Sequence, residues 1–293
     1  MKTRTVKQIL FAELVDMGGI PVRQPFPARN VEQIDPFLLL HHHTSRIREG
    51  ADLRRTGVGP HPHRGFSPVT FIYQGDVHHR DSRGNDSIVK AGGVQWMDAG
   101  MGIQHSERPS KELAEKGGVQ EIIQLWINTP AKDKMKQPRY QAVHADDMPA
   151  LKTAQGEGTT SLVSGEFRGI EAPVQPGWPI IAMKCEWQKD ASDSIELPEN
   201  YNAFIYLLDG KMQVEGFGMV EGLNAVQFHN DGEVIAFRAL ENTRFILLAA
   251  PPMNEPLAMY GPFVMNDQTQ VLQAIRDYQM GKMGILIEEF NGE

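Results

Sequence analysis

One pattern occurs twice in this chain of 293 residues. Phe71-Ile72-Tyr73-Gln74-Gly75 parallels Tyr206-Leu207-Leu208-Asp209-Gly210, and Gly93-Val94-Gln95-Trp96 parallels Ala225-Val226-Gln227-Phe228. The intervals agree as well: 94 − 75 = 19 residues in the first copy and 226 − 210 = 16 in the second. Short apolar runs next to glycine are strand-and-turn signals. Their recurrence marks a duplicated β unit, so the chain reads as all-β, two copies of one barrel or sandwich. Strand-like runs at 69–73, 122–127, 203–208 and 244–249, punctuated by 28 Gly and 19 Pro, agree with that class.

The length also suits two domains. The polar, lysine-rich stretch 131–137, followed by Pro138, reads as the end of the first. Domains over 1–140 and 141–293 follow, with the glycine-containing stretch 151–160 as an exposed connection. Residues 111–118 are too few to decide between a short helix and a loop. The chain closes with a helix: Asp267 is placed to cap it with Gln270 three residues on, Val271, Ile275 and Tyr278 form its apolar stripe, and Gly281 ends it.

The chemistry is concentrated in the first copy. His61-Pro62-His63 and, later, His105-Ser106-Glu107 are two potential metal-ligand pairs with one internal spacing. Residues two apart on a strand share a face, so two such strands facing one barrel interior aim three imidazoles and one carboxylate at a point. That donor set suits a first-row divalent cation. A merely structural polar cluster is the alternative, and the matched spacing and the flanking Gly65, Gly100 and Gly102 argue against it. In the second copy the positions of His61 and His63 fall on Glu196 and Pro198, and His229 falls opposite Met97. The second barrel is therefore read as lacking metal ligands.

A net charge of −8 argues against a sequence-independent grip on nucleic acid. The single cysteine, Cys185, cannot form an internal disulfide and reads as a small core residue in a reducing compartment. Glu13 and Asp16 interrupt the first apolar run, and no stretch approaches the ~20 apolar residues of a membrane span. A cytoplasmic protein is the expectation.

Residues 61–66 (HPHRGF), 94–97 (VQWM), 99–105 (AGMGIQH) and Glu107 resemble the motif block of the pirin family, within the cupin superfamily. Residues 35–40 (DPFLLL), 124–128 (QLWIN), 261–266 (GPFVMN) and 276–278 (RDY) extend the likeness along nearly the whole chain. The resemblance implies a bicupin: two jelly-roll-type barrels in tandem with a short C-terminal helix. It implies one divalent metal, Fe(II) first and Mn, Co, Ni, Cu or Zn as alternatives, held in the N-terminal barrel by His61, His63, His105 and Glu107. It further implies quercetinase-like dioxygenase activity, opening a flavonol with release of carbon monoxide, with a small planar aromatic substrate and dioxygen as partners and Glu107 as catalytic base. The rival expectation is a non-enzymatic, iron-dependent regulator that binds a transcription factor or metabolic enzyme. Two departures stand out. Ser67 and Pro68 occupy the region from which many cupins draw their carboxylate, and His41-His42-His43 replaces an acidic or mixed segment.

Other residues carry weaker expectations. Alternation lets His41 and His43, but not His42, act together, and a surface or pocket-rim role is expected for the triplet. His78 and His79 read as a solvated hairpin and His144 as exposed. Trp96, Phe71 and Trp126 read first as core; Met97 and Phe66 are candidate pocket walls.

Overall fold

The computed structural model describes residues 1–290. Strands dominate it because the apolar residues alternate. In Gly118–Asn128 the side chains of Ile123, Leu125 and Ile127 are buried, whereas Gln124 and Trp126, on the other face, are half-buried. By contact the chain separates into two compact units, each assembled from two stretches of sequence.

The unit carrying the histidine motifs comprises His42–Ala145 and the chain from Asn254 onward. A four-stranded antiparallel sheet runs in the order Val58–His63, Ile103–Arg108, Asp76–Asp81, Asp86–Lys90. A second sheet runs Arg139–Val143, Val94–Asp98, Phe66–Gln74, Gly118–Asn128, then the strand Phe37–Ile47, whose residues from His42 lie in this unit. The sheets face one another: Thr70 bonds across to Glu107, and the Tyr140 hydroxyl meets Ser87 Oγ at 2.7 Å. Ile72, Val77 and Val89 form one apolar cluster between them. Lys111–Lys116 is a short helix, capped by the Ser110 hydroxyl.

The terminal helix forms as its sequence predicts. It spans Gln268–Gln279, and the Asp267 side chain accepts from the Gln270 amide at 2.8 Å. It packs through Ala274 onto Phe263 and Met283. A division of the chain at residue 140 would assign this helix to the second barrel, whereas its contacts lie in the histidine unit. The reason is a buried ion pair and a backbone bridge: Arg64 Nη1 donates to Asp277 Oδ2 at 2.9 Å, and Arg64 pairs with Phe263. The motifs HPHRGF, GPFVMN and RDY therefore meet at one place. Gly65 is required there, with φ +83°, because a Cβ would stand 2.0 Å from the Val264 carbonyl oxygen.

The other unit comprises Met1–His41 and Asp146–Met253. Its larger sheet runs Val6–Phe11, Asn224–Phe228, Asn202–Asp209, Thr243–Ala250, Ile181–Trp187, Gly158–Ser164, Ala150–Lys152. Its smaller sheet runs Ser192–Glu196, Val234–Ala239, Lys211–Val214, Gly218–Glu221. Side chains of both sheets, among them Trp187, Phe237, Phe245, Leu207 and Met212, form one continuous apolar core. No helix among the described residues is long and apolar enough to cross a membrane.

Candidate metal centre

In an antiparallel sheet, directly opposed residues share a face. His105 is opposed by His61 on one side and Asp81 on the other, and Glu107 is opposed by His79. One face of the four-stranded sheet therefore carries His61, His63, His105, Glu107, His79 and Asp81. A register shift between His105 and Glu107 offsets the carboxylate against the neighbouring strand.

His61, His63 and His105 converge. One nitrogen of each lies within 4.8 Å of the others, and the ring centroids are 4.4 to 4.8 Å apart. His63 and His105 are each 2% exposed. Burial pushes both well below the usual histidine pKa, and the neighbouring imidazoles push the same way; a backbone carbonyl, Pro262, opposes weakly at His63. Both rings are thus neutral at pH 7, the form that binds cations.

Glu107 lies outside the tight three-histidine group. Its Oε1 accepts from Thr70 Oγ1 at 2.9 Å and its Oε2 from Gln124 Nε2 at 2.7 Å. Gln124 is oriented in turn by Trp126, whose indole N–H donates to Gln124 Oε1 at 3.2 Å. Both neighbours donate, so they hold the Glu107 side chain in place as an acceptor with lone pairs to spare.

Do these residues fit a cation? Buried polar atoms normally have partners. His105 Nε2 and both ring nitrogens of His63 are buried without a hydrogen bond of ordinary geometry. His61 Nδ1 faces the Gly59 carbonyl at 2.8 Å, which accepts only, so the proton sits on Nδ1 and the Nε2 lone pair is free. Three imidazoles with unused lone pairs crowded together, with a carboxylate on the same sheet face, match the demands of a first-row divalent ion.

Several residues sit elsewhere than their sequence suggests. His79 is 1% exposed rather than solvated. Its ring stacks on Tyr140 at 3.9 Å and 6°, its Nδ1 faces His105 Nδ1 at 3.4 Å, and its Nε2 meets Asp81 Oδ2 at 3.1 Å. His78, on the opposite face, bonds to Asp86. The signal was present: of two adjacent strand residues, one must point inward. His41 and His42 are buried, not on a rim; His41 Nε2 bonds Gln24 Oε1 at 2.7 Å and His42 Nε2 meets Glu121 Oε1 at 3.2 Å. His144 is exposed. Phe66 is buried with its ring 5.0 Å from His63 and 4.4 Å from Trp126, so it backs the site. Met97 packs with Ala99, Ile103 and Tyr140. Cys185 is a buried core residue whose thiol burial pushes up to about 12.

Known proteins supply the rest. Residues 19–127 match the family described as Pirin, and 182–284 the Pirin C-terminal cupin domain. A pirin-like protein of Solanum lycopersicum is 33% identical over 285 residues, covering 95% of this chain and 92% of its own. A Pseudomonas aeruginosa protein, provisionally named a quercetin 2,3-dioxygenase, is 34% identical over 265 residues, covering 90% of this chain and 92% of its own. The crystal structure of an Acinetobacter baumannii quercetin 2,3-dioxygenase superposes with a TM-score of 0.91 at 33% identity, over 98% of this chain and 100% of that one. The two β-barrels are two cupin domains, and the chain belongs to the pirin family.

Proposed function

We propose that this chain is a metal-dependent dioxygenase that opens the central ring of a flavonol such as quercetin. Dioxygen is consumed; the products are a depside ester and carbon monoxide. One observation carries the reading: three imidazoles crowd together, and the two that are buried, His63 and His105, have ring nitrogens that no protein group satisfies. The quercetin 2,3-dioxygenase names of similar proteins support this substrate class.

His61, His63 and His105 would hold the cation, with Glu107 as the fourth donor and Fe(II) first among the ions this set accepts. When bound, the cation supplies Lewis acidity to a neighbouring substrate oxygen. Glu107 is the proton acceptor for the flavonol 3-hydroxyl, since Thr70 and Gln124 hold its carboxylate aimed. Trp126, half-buried and tied to Gln124, offers an aromatic surface beside the histidines for a planar ring.

The test is flavonol consumption and carbon monoxide release by purified protein loaded in turn with Fe(II), Mn, Co, Ni and Cu. Turnover with at least one ion is expected, falling about 10²–10⁴-fold in Glu107→Gln, which keeps the shape and loses the base. Absence of turnover with every ion would overturn the reading.

A further inference from the structure

We propose that His79, backed by Asp81, is a positioning residue that holds His105 in the one tautomer able to bind a cation through Nε2. The inference rests on the metal-site reading of His61, His63 and His105 and concerns residues outside that ligand set.

Asp81 is wholly buried within its strand partners and receives hydrogen bonds from the Arg83 amide (2.8 Å), the Asn85 amide (3.1 Å) and Asn85 Nδ2 (2.7 Å). Every one of these neighbours donates, so Asp81 is an acceptor and His79 Nε2, 3.1 Å from Oδ2, carries a proton. With Nε2 donating to Asp81, Nδ1 is the His79 nitrogen left to accept. That atom faces His105 Nδ1 at 3.4 Å, so the shared proton belongs to His105. The Nε2 of His105 is left with a free lone pair, and it is the nitrogen without a partner. Reversing the chain would put the His105 proton on Nε2 and block ligation.

The geometry is fixed as well as the protons. Tyr140 stacks flat on the His79 ring, and its own hydroxyl is anchored to Ser87 on the adjoining strand. Strand register places Glu107 directly opposite His79, and His105 opposite Asp81, so the Asp81–His79–His105 series lies across a rigid sheet. His61 reaches the same tautomer by a shorter route, through the Gly59 carbonyl. Carboxylate- or carbonyl-backed imidazoles of this kind orient metal ligands generally.

The experiment titrates purified full-length protein with Co(II) alone, following the visible ligand-field bands and the heat of binding, alongside thermal melts of the metal-free forms. Wild type should take up one Co(II). His79→Phe keeps a ring for Tyr140 but offers no acceptor, and Asp81→Asn weakens the backing; each should raise the Co(II) Kd about 10–100-fold. His79→Asn places an amide oxygen near the original Nδ1 and should recover part of the affinity. A purely structural role would lower the melting temperature and leave Kd alone. Should His79→Phe not fold, Asp81→Asn and His79→Asn carry the test. A Kd within about threefold of wild type in folded variants overturns the inference. Failure of wild type itself to bind Co(II) would instead remove the metal-site reading beneath it.

Discussion

In one barrel the space between the sheets is filled by Trp187, Phe228, Phe237 and Phe245; in the other, one sheet face carries His61, His63, His79, Asp81, His105 and Glu107. Both have a four-stranded sheet facing a larger one, and both keep the duplicated strand-glycine landmarks. Burying a large apolar side chain contributes roughly 1.5–3 kcal/mol, whereas a buried polar group costs free energy unless bonded. The histidine barrel therefore combines a polar patch on one sheet face with apolar clusters around it. Ile72, Val77 and Val89 pack on one side, and Phe263, Ala274 and Met283 under the terminal helix on another.

The largest expected effect tests the apolar side of that contrast. Trp187 is 1% exposed and edge-on to Phe245 at 5.0 Å. Trp187→Ala should cost about 3–5 kcal/mol in chemical denaturation and leave metal uptake unchanged. Loss of the metal together with the stability would break the separation of roles.

His63→Ala should do the reverse. Elemental analysis after dialysis should show metal content lost, with an affinity drop larger than the ~10–100-fold typical of removing an outer partner. A variant that still retains stoichiometric metal would show that the three imidazoles are not the ligand set.

Gln124→Leu removes one of the two donors to Glu107 and leaves the strand intact. A loss of about 0.5–1.5 kcal/mol in holding that carboxylate should appear as a fall of about 2- to 13-fold in flavonol turnover, with apo stability nearly unchanged. Equal activity would mean that Thr70 alone suffices to orient it.

The smallest effect is acidic. Burial lowers His41 from 6.5 to about 4 in the folded chain. Between these values the unfolded chain takes a proton that the folded one refuses. The contribution of neutral His41 is complete above pH 6.5 and declines as pH falls towards 4. His41→Gln should flatten that part of the stability–pH curve; an unchanged slope would assign the acid sensitivity to other groups.

Much of this was legible in the chain. Period-two burial, the duplicated landmarks and the capped helix are local patterns, set within a few residues by backbone geometry and side-chain alternation. His61-Pro62-His63 and His105-Ser106-Glu107 each announced a shared face through spacing alone. His79 shows the limit: alternation says that either it or His78 points inward, but only strand register across Glu107 and Asp81 selects which, and sets what it touches.

Local sequence periodicity thus determined the strands, the repeat and the spacing within each of the pairs His61/His63 and His105/Glu107, because those depend on neighbours in the chain. Tertiary structure decided the rest: the tether of Glu107 to Thr70 and Gln124, the burial of His79 and Asp81, and the pairing of Arg64 with Asp277. Each of these depends on contacts with segments distant in the chain, so it is fixed by packing and register and not by any pattern within one segment.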